Sequence, residues 1–221
     1  MRMCRAVAGL AAGGLIAVLT MLAPAKSALA HPHAWIDLRI AVLFDARGHV
    51  TGLRQTWLFD EFYTAFALEG LARDPRGAPS ADDVQAIVAE NMKNLEDYGY
   101  FTSVTQGEAE VGLDAIRDVS ANYRDGRLDM TFTYAFAKPV SPATAPLRYA
   151  IADPTYYIEM LHVDAADAIR LEGSPAGCRH RLIEPQPTME AVGLAAALDR
   201  TQSGGDGLGA LFAQTVVIQC K

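Results

Sequence analysis

His31 and His33 stand two residues apart, with Pro32 between them, directly after the small-x-small triplet Ala28-Leu29-Ala30. Cleavage after Ala30 would leave an α-amine and an imidazole on one residue and a second imidazole two positions on. Such nitrogen donors suit a borderline or soft divalent metal. On an extended chain the two rings point the same way. A square-planar amino-terminal copper or nickel site is excluded, because it takes the second residue's amide nitrogen as a ligand and Pro32 has no N–H to lose. What remains is a brace, in which the amine and the His31 ring chelate together and His33 or a distant histidine adds a third nitrogen. The plain alternative is a hydrogen-bonded surface pair.

The cleavage expectation rests on residues 1–30, which read as a secretory signal: Arg2 and Arg5 start it, Ala6 to Leu22 form the apolar run, and Ala28-Leu29-Ala30 ends it. Residues 31–221 are then expected to be a single periplasmic domain of 191 residues, enough for a sizeable core. The removed segment carries three basic residues and no acid, so the net charge goes from −7 to −10. A domain that acidic is a poor nucleic-acid binder and a better host for cations, although a solvated acidic face explains it equally simply. After the signal no stretch approaches the roughly 20 apolar residues that span a bilayer. Cys4 lies too early to carry a lipid anchor.

Four more residues could complete a metal site. Asp37, Asp60 and Asp153 offer carboxylates, and His162 an imidazole. Each has a structural reading beside it. Asp60 opens Glu61-Phe62-Tyr63 as a helix cap, and Asp153 opens the turn Asp153-Pro154-Thr155. His162 ends an apolar strand run, where a lone histidine is commonly held by hydrogen bonds within the fold. His49 and His180 are weaker candidates, the second because it lies between Arg179 and Arg181. Asp74 to Pro79 is no calcium loop, since Arg76 and Pro79 occupy positions that need an acid and a glycine. No GxSxG or HExxH motif is present, and no enzymatic activity is expected.

Cys178 and Cys220 are the cysteines left after the signal. In an oxidising compartment such an isolated pair is expected to form a disulfide, which would tie down the C-terminus. The alternative is a thiolate metal site, which lacks any CxxC to support it.

The elements that would position these residues follow from periodicity. Ala34 to Phe44 alternates as a strand, with Trp35, Asp37 and Arg39 on one side; Asp45 to Gly48 turns, and His49 to Phe59 returns. Asp60 caps a helix through Leu68, and Ser80 caps a second to about Tyr98 with Val84, Val88 and Met92 on its stripe. From Phe101 the pattern becomes β-like. Val119–Tyr123 and Leu128–Phe136 flank the hairpin signal Asp125-Gly126. Leu147–Ala152, Tyr156–Val163, Ala168–Leu171 and Cys178–Ile183 read as strands, Thr188–Asp199 as a helix and Gln214–Cys220 as a last strand. This order predicts an α+β fold: an antiparallel β-sandwich with a helical insertion.

His31-Pro32-His33-Ala34-Trp35-Ile36-Asp37, Thr56-Trp57-Leu58-Phe59-Asp60-Glu61, Asp97-Tyr98-Gly99-Tyr100-Phe101, Asp153-Pro154-Thr155-Tyr156-Tyr157 and Gly177-Cys178 together resemble the domain-of-unknown-function family one-thousand-and-seven. The likeness spans nearly the whole mature chain, and Leu198-Asp199-Arg200-Thr201-Gln202 to Cys220 resembles that family's C-terminal segment. The resemblance implies a periplasmic component associated with nickel/cobalt-type permeases, with zinc acquisition proposed for some members. Some relatives carry a DxDxDG insert, which Asp74 to Pro79 lacks. The expected function is therefore a periplasmic accessory that binds a divalent metal, zinc or nickel/cobalt with copper as a variant, and works with a membrane metal permease. The alternatives are a copper carrier or copper-dependent oxidative enzyme built on the histidine brace, and a metal-free adaptor that docks on a transporter.

Overall fold

The computed structural model describes residues 32–198, 204–205 and 207–221. The expected signal, His31, and the segment Asp199 to Ser203 lie outside the described residues. Among the described residues eleven strands form two sheets, and three α-helices accompany them. The first sheet runs in the order Leu113–Arg124, Arg127–Val140, Val50–Phe59, Ala34–Phe44 and Ile158–His162, with Ile169–Glu172 also on Ala34–Phe44; the second runs Arg179–Ile183, Thr215–Gln219, Leu147–Ile151, Thr102–Gln106 and Ala109–Glu110.

β1 (Ala34–Phe44) and β2 (Val50–Phe59) pair antiparallel as expected, from Ile36 opposite Phe59 to Phe44 opposite Val50. Ile36, Leu38, Ile40 and Val42 are buried on the inner face, while Trp35, Asp37 and Arg39 face outward. β5 (Leu113–Arg124) and β6 (Arg127–Val140) form the next hairpin. Asp125 and Gly126 both have positive φ at its tip, as a two-residue primed turn requires. β5 begins six residues earlier than its apolar run suggested. Register shifts between Leu113/Ala115 and Arg117/Ser120 break the alternation by which a strand is read.

β3 (Thr102–Gln106), β4 (Ala109–Glu110), β7 (Leu147–Ile151), β10 (Arg179–Ile183) and β11 (Thr215–Gln219) make the second sheet. Val104, Leu147, Tyr149, Ile151, Val216 and Ile218 from this sheet join the inner face of the first in one core. The disulfide Cys178–Cys220 forms at the end of the β10–β11 pair, one residue beyond Arg179 opposite Gln219.

The sandwich is not purely antiparallel. β8 (Ile158–His162) and β9 (Ile169–Glu172) both run parallel to β1 and share its free edge, one after the other. The chain crosses from the second sheet to the first between β7 and β8, so β8 takes its direction from that crossover and not from a hairpin.

Helix α1 (Glu61–Ala67) and helix α2 (Ala81–Glu96) form the insertion between β2 and β3. Ser80 caps α2 by accepting from the Asp83 amide, and Val84, Val88 and Met92 turn into the core. The Gln85 side chain accepts the Ala121 amide, so α2 covers the outer edge of β5. Helix α3 (Met189–Ala197) starts at the Thr188 cap.

Candidate functional site

The amino-terminal end of β1 is held from both edges. On one edge the His33 amide donates to the Tyr157 carbonyl at 2.9 Å, and their rings lie 4.9 Å apart, tilted by 45°. On the other edge Trp35 and Asp60 exchange hydrogen bonds. The Trp35 amide donates to Asp60 Oδ2 at 2.8 Å, and the Asp60 amide donates to the Trp35 carbonyl at 2.9 Å. The remaining oxygen, Asp60 Oδ1, accepts from the Phe62 and Tyr63 amides at 2.8 and 2.9 Å and so starts α1. One carboxylate thus joins the first turn of a helix to the first residues of a strand.

The neighbouring charges are also committed. Asp37 Oδ2 accepts from Arg127 Nη2 at 2.9 Å, and the same guanidinium donates to the carbonyls of Phe59 and Leu58 at 2.6 and 3.1 Å. Tyr63 stacks on Phe59 at 5.0 Å. Burial, with the nearby Asp60 carboxylate and Tyr157, pushes its phenol above the ordinary tyrosine range, so it stays protonated at neutral pH.

Asp153 is buried and closes the crossover turn. Its side chain accepts from the Thr155 amide and hydroxyl and from the Ile158 amide, each at 2.9 Å. That is the turn role, which leaves the carboxylate facing backbone donors.

His162 does not reach the amino terminus. It lies opposite Leu38 on β1, whereas Tyr157 is bonded to His33, five residues back along the same strand. At about 3.3 Å per residue the two histidines are about 16 Å apart along the sheet, far beyond one coordination sphere. His162 instead belongs to a buried polar chain. Its backbone amide and Nδ1 both meet Gln214 Oε1, at 2.8 and 2.9 Å, and Nε2 meets the Tyr149 hydroxyl at 3.1 Å. Gln214 Nε2 donates to both Glu184 oxygens, at 3.1 and 2.9 Å. The Gln214 oxygen only accepts, so Nδ1 carries the proton and Nε2 accepts from Tyr149. Burial lowers the His162 pKa, against the opposing pull of the Gln214 bond and Glu184, and holds the ring neutral.

Of the sequence-predicted donors, the fold therefore gathers His33 and Asp60 at one end, with Asp37 two residues further along β1. Asp153 and His162 are placed elsewhere in internal roles. Among the described residues no three His, Cys, Asp or Glu side chains gather in a metal-binding arrangement. A metal at this end would depend on His31 as well as His33. Sequence reasoning missed Arg127, Tyr149, Gln214 and Glu184, because each acts through a partner distant in the chain. No helix among the described residues is long and apolar enough to cross a membrane.

The profile of a family of proteins of unknown function, DUF1007, matches residues 16–220. The chain is also similar to an uncharacterised protein of Haemophilus influenzae, with 26% identity over 196 residues that cover 87% of this chain and 92% of the relative.

Proposed function

The chain belongs to the DUF1007 family of proteins of unknown function, and we propose that it is an exported, non-enzymatic accessory protein that binds a divalent metal at its processed amino terminus. The supporting observation is the clamp on the first residues of β1, where Tyr157 and Asp60 hold His33 and Trp35 from opposite edges. A short chelating segment gains affinity when it is ordered before the metal arrives, because less conformational freedom is lost on binding. The α-amine and imidazole of His31, with the imidazole of His33, would hold zinc or nickel, with copper favoured by affinity order alone. Asp37, Asp60, Asp153 and His162 fall outside this donor set, since using them would break the bonds described above. The partner in this reading is a metal permease of the inner membrane, met from the periplasmic side.

The test is calorimetric titration of zinc, nickel and copper(II) into protein processed by its own signal, with the cut site established by intact mass. Sub-micromolar binding is expected, and it is expected to disappear when one alanine precedes His31. Absence of binding by protein that begins at His31 refutes the metal reading.

A second reading, a metal-free adaptor, draws on the same end of the molecule. Phe62 and Phe66 sit one helical turn apart on α1 and are 84% and 74% exposed, with Trp35 at 45%. Capture of the permease that survives loss of metal but not Phe62→Ser with Phe66→Ser would favour this reading.

A further inference from the structure

Behind the clamped end, between the inner face of the first sheet and α2, lies a cavity of about 170 Å³. Ile36, Trp57, Phe59, Met130 and Ile158 line it from four strands, and Leu95 from α2. None of its lining side chains is charged, and Asn91 and Asn94 of α2 supply amides to it. No lining side chain offers a counter-charge to an ion that sheds its hydration there, so the lining favours a neutral ligand.

The aromatic side of the cavity is built by an unusual piece of backbone. Gly99, Tyr100 and Phe101 have φ of 57°, 55° and 53° in succession. Two consecutive aromatic residues in the left-handed region are rare, because their Cβ atoms crowd the backbone. Such strain persists only where the surroundings over-determine it, and it concentrates at ligand clamps and similar sites. Here the turn lays Phe101 parallel to Trp57, with ring planes 4° apart and centroids separated by 6.1 Å. It also sets Tyr98 edge-on to Phe101 at 6.0 Å, and both rings border the cavity. Burying Tyr100 on the other side, against Phe132, fixes the turn.

We propose that this cavity binds one small neutral aromatic molecule, a six-membered ring whose hydrogen-bonding substituent is directed at Asn91 and Asn94. The volume fits, since an apolar cavity of about 150 Å³ accommodates benzene. Rings meeting rings at offset or edge-on geometry gain more than area burial alone. The amides offer both donor and acceptor to a hydroxyl. The site uses neither His31 nor His33 and stands apart from the metal reading.

Phenol is the probe. Trp35→Phe leaves Trp57, on the cavity wall, as the tryptophan of the mature chain that reports binding. Phenol is expected to change Trp57 emission saturably, half-complete at or below about 1 mM. Its ring protons are expected to show nuclear Overhauser contacts to the Met130 and Ile158 methyls. Leu95→Phe, which fills the cavity from α2, is expected to weaken binding about tenfold or more, as is Asn91→Ala with Asn94→Ala for phenol but not for toluene. A response that never saturates overturns the proposal, and so does saturation without those methyl contacts. Cyclohexanol binding as tightly as phenol overturns the aromatic class. Should Leu95→Phe fail to fold, the methyl contacts decide alone.

Discussion

Replacing Asp60 by alanine removes two functions of one carboxylate at once. The first is the cap on α1, where the Phe62 and Tyr63 amides lose their acceptor. Loss of such a cap typically costs about 1 kcal/mol. The second is the charge-assisted bond from the Trp35 amide at 2.8 Å. Bonds to charged groups contribute about 1.5–3 kcal/mol, and this half-exposed pair belongs at the lower end. The Asp60 amide still donates to the Trp35 carbonyl, so the strand is loosened and not released. The sum is about 2.5 kcal/mol, or roughly 5–10 °C in Tm for a domain of this size.

Urea unfolding reads the total, and amide hydrogen exchange at Trp35 separates the strand part from the helix part. Asp60→Asn keeps a capping acceptor and should fall between wild type and Asp60→Ala. If the clamp also orders His33, metal affinity should follow the same order. A change in unfolding free energy below about 0.5 kcal/mol, the range of an ordinary surface substitution, would refute the reasoning. So would unchanged exchange at Trp35.

Three further predictions concern the frame around the site. His162 is held neutral by burial, so its folded pKa lies below the ordinary 6.5. As pH falls through 6.5 the unfolded chain takes up a proton that the fold refuses, and stability drops by up to about 1.4 kcal/mol per pH unit until the folded pKa is reached. His162→Gln should flatten that slope, measured by urea unfolding between pH 7 and about 5; an unchanged slope would assign it to other groups. Replacing Cys178 and Cys220 together by alanine opens a separation of 42 residues and should lower unfolding free energy by about 4 kcal/mol. Denaturation with and without reductant checks this, and coincident curves for wild type would mean that the bond does not form. Gly52→Ala would place a Cβ 2.6 Å from the Tyr134 carbonyl oxygen, so β2 and β6 must separate locally. A loss of about 2 kcal/mol is expected by thermal unfolding, and wild-type stability would show that the pairing yields freely.

Most elements of the fold were legible because their information is local. Alternation marks β1 and β2, Asp60 and Ser80 cap α1 and α2, and Asp125-Gly126 turns the β5–β6 hairpin. The parallel placement of β8 and β9 was not, since nothing in Ile158–His162 or Ile169–Glu172 records which edge they will join. That choice is made by the free side of β1, eleven residues long, which both short strands can share. The left-handed turn was half legible: Gly99 permits positive φ, but Tyr100 and Phe101 argue against it. Only the packing of Phe101 on Trp57 and of Tyr100 beside Phe132 explains why it forms.

The donors of the candidate site divide along the same line. A carboxylate or imidazole has the same identity in sequence whether it meets a metal or an amide, so residue type alone leaves both roles open. Asp60 could be read as a cap from Glu61-Phe62-Tyr63, but its bond to Trp35 spans 25 residues and follows from the β1–β2 register. His162 could be read as a strand histidine, but the partner that fixes its tautomer, Gln214, lies 52 residues on. Once register assigns those partners, a metal that recruited Asp37 would break an ion pair. Recruiting Asp60 would break a helix cap, and recruiting His162 a buried chain reaching Glu184. His31 and His33 precede Ala34 in the chain, and the bond of His33 to the sheet is made by its backbone amide, which a metal held by the rings and the α-amine would leave in place. The metal reading therefore stands or falls with processing after Ala30, and an alanine placed before His31 tests it without disturbing any bond of the fold described here.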